Sequence, residues 1–149
     1  MSDLFTIGFT KKTAKDFFET LYINKIDTLV DIRLNNTSQL AGFSKYPDIE
    51  FFLKKICNIK YVHDINFAPA NETLESYKKK FINWNEYVIQ FNNTMDERKI
   101  SNYIKSNYTS INNETICLMC SEVKADNCHR SIVARYFSQV YNDLKIINI

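Results

Sequence analysis

The eleven residues CSEVKADNCHR, Cys120 to Arg130, hold two of the chain's four cysteines, one of its two histidines and one of its four arginines. Side chains of these types can bind a metal, form a redox pair, attack an electrophile or hold an anion. A structural zinc site would draw on Cys117, Cys120, Cys128 and His129. If 115–120 is a strand, however, Cys117 and Cys120 point to opposite faces. Cys128 and His129, adjacent on a helix, would sit roughly 100° apart and converge poorly. No metal is expected on this reading. A redox CxxC pair needs its first cysteine at a helix N-terminus, whereas CLMC (117–120) reads as a buried strand. A cysteine-phosphatase loop needs a cysteine, five residues and then an arginine, and neither Cys120 nor Cys128 has an arginine at that spacing.

A helix N-terminus fits better. Asp126 or Asn127 is a good N-cap for a strongly periodic helix that follows. The backbone N–H groups of residues 128–130 would then face a crevice with the positive end of the helix dipole. Arg130 in the first turn adds a forked donor where the dipole disfavours a cation, which makes sense if an anion or a carboxylate sits between. Cys128 in that turn is expected to have a depressed pKa and to serve as nucleophile, with Glu122 as base or as the group that orients Arg130.

Composition singles out further residues. Lysine outnumbers arginine 15 to 4 and glycine occurs twice, so each arginine or glycine raises the question of what geometry it serves. Gly8, Asp31, Arg33, His63 and Asp64 all fall at the ends of apolar stretches, as do Cys120 and Glu122. Those stretches, 4–8, 28–32, 60–64, 115–120 and 145–149, read as buried strands. The segments between them have helical period: 12–24 with Phe17, Phe18 and Leu21 inward and Thr10 or Thr13 as cap; 48–57 after Pro47, presenting Phe52 and Ile56; 72–92 as one long stripe through Leu74, Tyr77, Phe81, Trp84, Val88 and Phe91; 96–107; and 128–143.

Alternation of apolar strands with helices predicts an α/β domain over 1–149. Its sheet would be open, mostly parallel and five-stranded, in a three-layer Rossmann-like sandwich with a two-helix insertion between strands 3 and 4. In such a sheet, ligands bind beyond the carboxyl ends of the strands, which is where the residues named above would converge. Asp31 joins Cys128 and Glu122 as a catalytic candidate. Gly8, Thr10, Arg33, Cys120, His129, Arg130 and His63 are the candidate ligand-binding residues. The bland alternatives are an Asp31–Arg33 ion pair, a half-buried His63, and tyrosines and phenylalanines that are core rather than a stacking platform.

The net charge of +2 does not call for nucleic acid, and Lys78-Lys79-Lys80 reads as a solvated helix face. No apolar run is long enough to span a bilayer and the N-terminus lacks a secretory pattern, so a cytoplasmic protein with reduced thiols is expected. No GxGxxG fingerprint supports a nicotinamide or flavin, and no cofactor is expected.

TIGFT (6–10), LVDIR (29–33) and CLMCSEVKADNCHR (117–130) together resemble domain-of-unknown-function family 488, whose pattern reads TIGHS, VDVR and a late LLCAE…CHR. The resemblance implies a small α/β domain with Asp31, Arg33, Cys120, Glu122, Cys128, His129 and Arg130 around one site. This chain departs from the pattern at Phe9 and Thr10, in place of His and Ser, and at FAPANE (67–72), in place of a Gly-Gly. Three functions are open: an enzyme hydrolysing or transferring a group on a small phosphorylated or nucleotide-like substrate, a non-catalytic binding or sensor module using the same pocket, and nucleic-acid processing.

Overall fold

The computed structural model describes residues 2–37, 41–121 and 127–149. Its strands are β1 (Ser2–Gly8), β2 (Thr28–Asp31), β3 (Lys60–His63), β4 (Ile116–Cys120) and β5 (Leu144–Asn148). They form one open sheet in the order β3-β2-β4-β1-β5, and every pair is parallel. The described helices are α1 (Ala14–Ile23), α2 (Asp48–Phe52, continued by a wider π turn over Leu53–Cys57), α3 (Asn71–Lys78), α4 (Trp84–Glu97), α5 (Ile100–Asn107) and α6 (His129–Val140). No helix among the described residues is long and apolar enough to cross a membrane.

Two apolar layers sandwich the sheet, and strand parity decides which residue joins which. On one face Phe17, Phe18 and Leu21 of α1 and Ile49 of α2 pack with Phe5, Ile7, Leu29, Cys117 and Met119. On the other, Phe91 and Met95 of α4, Ile104 of α5 and Phe137 of α6 pack with Leu4, Val30, Leu118 and Cys120. Fully burying each such side chain stabilises the fold by about 1.5–3 kcal/mol. The alternation along β4 sends Cys117 to one layer and Cys120 to the other, as its period of two requires.

Three of the expected helices differ from the sequence reading. The stripe over 72–92 is broken between α3 and α4: Lys80 adopts a left-handed backbone (φ 61°). Asn83 starts α4 with a capping box in which its side chain accepts from Glu86 N and Glu86 Oε1 accepts from Asn83 N. Phe81, counted in the stripe, falls in the break and is 76% exposed. The insertion between β3 and β4 therefore holds three helices rather than two, and the last begins at Ile100, after Lys99 at φ 51°. In the segment after Pro47 the inward residues are Ile49 and Leu53, while Ile56 is exposed and Phe52 half-buried. Thr13, not Thr10, caps α1, accepting from Asp16 N at 3.1 Å.

Candidate functional site at the carboxyl ends of β2 and β4

The sheet order creates the crevice. The chain leaves β1 and β2 for α1 and α2 on one face, and leaves β4 for α6 on the other. Because β4 lies between β1 and β2, the departing segments separate around it, and an opening remains beyond its end. A cavity of about 500 Å³ occupies that position. Its floor carries Cys120 from the end of β4 and Cys128 and His129 from the start of α6. Arg33 and Asn35 border it from beyond β2, and Tyr77 and Trp84 from the inserted helices.

Cys128 is the N-cap of α6, with extended backbone (φ −133°, ψ 140°) and no capping hydrogen bond from its side chain. The expected cap at Asp126 lies outside the described residues, and Asn127 borders the cavity instead. This corrects the expectation that Cys128 and His129 diverge. Cys128 is not helical, so the rotation per residue of a helix does not apply to the pair. The ligating atoms of Cys120, Cys128 and His129 all lie within 4.8 Å of one another, and all three residues are buried. Cys117 remains on the other face.

Hydrogen bonding fixes the imidazole. His129 Nε2 lies 2.8 Å from the carbonyl oxygen of Ile32, which can only accept, so Nε2 carries a hydrogen. Nδ1 is thereby left to face Cys120 Sγ at 3.4 Å. The ring is also the last of a ladder of aromatic contacts along α4, from Trp84 to Tyr87 (5.1 Å, stacked), Phe91 (6.0 Å) and His129 (5.5 Å).

The two cavity thiols titrate in opposite directions. Cys128 donates its S–H to Cys120, which holds the Cys120 thiol below its ordinary range against the opposing pull of burial. The same hydrogen bond, with burial added, pushes the Cys128 thiol well above that range. The depressed thiol is thus Cys120, not Cys128 as expected from the helix N-terminus. Cys117, enclosed in the opposite layer, is raised by burial. Cys57 is half-buried, donates to the Phe18 carbonyl at 3.4 Å, and is also raised by burial.

Arg33 and Asp31 form the buried ion pair that was the bland alternative. Arg33 Nε and Nη2 donate to Asp31 Oδ1 and Oδ2 at 2.9 and 2.7 Å, and Nη2 also donates to the Ser44 carbonyl at 2.6 Å. Tyr61 donates to Asp31 Oδ2 at 2.6 Å. With its oxygens so committed, and paired in register with Met119 rather than Cys120, Asp31 faces away from the cysteine cluster and does not border the cavity. Arg33 does border it. The guanidinium lies 4.9 Å from the Phe9 ring centre, and its Nη1 is buried with no hydrogen-bond partner among the described residues.

The other candidates divide cleanly. Gly8 is paired with Cys120 in the sheet and its carbonyl accepts from Lys12 Nζ at 2.7 Å; it does not border the cavity. Thr10 donates its backbone N–H to the Ser121 carbonyl at 2.9 Å, tying the loops after β1 and β4 together. His63 Nε2 sits 2.7 Å from the Arg33 carbonyl and supports the loop from behind. Arg130 is buried beside the cluster but outside the cavity lining, close enough to depress Lys12 after burial itself. Glu122 lies outside the described residues. The residues missed are the aromatic wall: Tyr77 and Trp84, which periodicity assigned to core alone, and Tyr87, which the stripe left out. Trp84, the one tryptophan in the chain, was the available signal.

A family model described as Domain of unknown function DUF488 matches residues 13–137. The match includes LVDIR and the C-x-E…C-H-R element and begins after TIGFT. No curated protein and no solved structure matches the chain.

Proposed function

The chain belongs to the DUF488 family, and we propose that this member is a hydrolase or group transferase acting on a small, planar, anion-bearing substrate held over the Cys120–Cys128–His129 cluster. The observation that carries the reading is Arg33. The residue is 6% exposed, its Nε edge is committed to Asp31, and its buried Nη1 has no partner among the described residues although the side chain borders the cavity. A phosphate or carboxylate is the group that satisfies such a donor. The aromatic wall suits a flat ring, as of a nucleobase, and about 500 Å³ is within the range of small-ligand sites. The reacting centre in this reading is the cluster itself, with Cys120 rather than Cys128 as the more ionised thiol. Four free thiols fit a reducing, cytoplasmic setting.

The test uses Trp84, the single tryptophan of this chain, excited at the red edge where tyrosine does not absorb. Titration with inorganic phosphate and with purine and pyrimidine mononucleotides is expected to perturb the emission saturably. The perturbation is expected to be lost in Arg33→Leu,Asp31→Leu, a double replacement that avoids an unpaired buried charge. No saturable change with any of these would sink the reading. Binding without turnover would leave the sensor module in its place.

A further inference from the structure

Cys120, Cys128 and His129 present two sulfurs and one imidazole nitrogen, mutually within 4.8 Å, from three side chains that are 5%, 3% and 7% exposed. From this we infer that the cluster is a binding site for a zinc-like divalent cation, with three protein ligands and a fourth position opening on the cavity.

The donor set is the first argument. Two thiolates and one imidazole suit zinc among the common divalent ions, whereas magnesium and calcium take oxygen. The second argument is orientation. His129 Nε2–H donates to the Ile32 carbonyl at 2.8 Å, so the lone pair of Nδ1 is directed at the sulfurs. A metal-bound histidine has its second nitrogen held in this way, by a carbonyl or carboxylate that fixes tautomer and ring plane. The third is position. All three residues border the cavity, and Cys117, which might have closed a fourth corner, is held in the opposite layer by strand parity. Three ligands with an open corner is the arrangement of catalytic zinc, whereas structural zinc takes four protein ligands.

On binding, each thiol releases its proton to solvent and the neutral imidazole coordinates through Nδ1. The cation then joins the end of β4 to the start of α6, while Ile32 links both to β2. The inference rests on the reading above only for what fills the fourth position, a water or the substrate's anionic group.

The experiment uses the whole chain, stripped with a chelator and titrated with zinc in competition with a chromogenic indicator, and separately with cobalt(II). One equivalent of zinc is expected. Cobalt is expected to give thiolate-to-metal charge-transfer absorption with the visible bands of a four-coordinate ion. Cys120→Ser, Cys128→Ser and His129→Ala are each expected to weaken zinc by roughly tenfold or more, the scale on which even indirect partners of a metal act. Cys117→Ser is expected to leave it unchanged. A measurement without variants guards against misfolding: one equivalent of zinc should protect two of the four cysteines, Cys120 and Cys128, from alkylation in the wild type. Absence of thiolate–cobalt absorption, or zinc protection of the half-buried Cys57 equal to that of Cys120 and Cys128, overturns the inference. Trp84 titrations run with and without chelator separate the two readings. Nucleotide binding that survives the chelator in a protein that takes up no zinc overturns the metal and leaves the pocket. Zinc uptake with a silent Trp84 does the reverse.

Discussion

His129 hands its Nε2 hydrogen to the carbonyl oxygen of Ile32 at 2.8 Å, across 97 residues of chain. One bond thereby connects the start of α6 to the residue between Asp31, the last of β2, and Arg33. It also decides which nitrogen meets Cys120. The opposite tautomer would leave two acceptors facing each other in a buried site, at a cost of about 1–3 kcal/mol.

The thiols should react in a fixed order. In chelator-treated protein, Cys120 is expected to alkylate at lower pH than Cys128, and Cys117 to stay unmodified until unfolding. Replacing Cys128 by Ala removes the S–H donated to Cys120, so the alkylation profile of Cys120 should move to higher pH. Peptide mapping by mass spectrometry after timed labelling reads this directly. An unmoved or downward-shifted profile would contradict the assignment of donor and acceptor.

The Asp31–Arg33 pair should behave as structure. Asp31→Ala strands a buried guanidinium and is expected to destabilise the fold by about 3–5 kcal/mol, whereas the double replacement of both residues by leucine should cost distinctly less. Urea denaturation of the three proteins decides it. A single Asp31→Ala variant as stable as wild type would return that carboxylate to the list of catalytic groups.

Glu114 should give an acid-dependent term. It accepts from the hydroxyls of Thr28 and Ser110, and these two bonds hold its carboxyl below the usual range against weak burial. Its folded pKa is depressed, so its contribution is present above the unfolded value of about 4.3 and is lost as pH falls through the folded value. Urea midpoints of wild type and Glu114→Gln should therefore differ near neutrality and converge in acid. A difference independent of pH would show that the carboxylate charge is irrelevant.

The break between α3 and α4 should depend on Asn83. Removing its side chain in Asn83→Ala deletes the half of the capping box that accepts from Glu86 N, leaves the backbone N–H that donates to Glu86 Oε1, and is expected to cost about 1 kcal/mol. Since α4 carries Trp84 at the cavity edge, the variant should also alter the emission of the ligand-free protein. A full-strength cap loss with unchanged emission would mean that Trp84 is positioned by α3 alone.

Much of this architecture was legible in the residues, because short strands of four to seven residues separated by helical periods admit few arrangements. The parallel sheet and the gathering of rare residues at its carboxyl edge followed from that pattern. Finer placement depended on parity and caps. Asp31 and Cys120 end neighbouring strands, but Asp31 is paired with Met119, so the two face opposite layers. That offset is set by register, which pattern alone does not reveal. Cys128 was misread for a related reason: moving the helix start by one residue turns it from a helical thiol into an extended cap that meets Cys120. The aromatic wall was hidden because a stripe that lines a cavity has the same period as one that fills a core.

The strand order carries a consequence for how the molecule comes into being. β1 has only β4 and β5 as neighbours, and β2 has only β3 and β4. A ribosome that has delivered the first hundred residues has thus made two separated edges with a vacant slot between them, and no sheet can close. Residues 116–120 fill that slot and bring Cys120 with them. Cys128 and His129 follow β4 in the chain, so the thiol–imidazole cluster can assemble only after β4 has joined the two halves of the sheet.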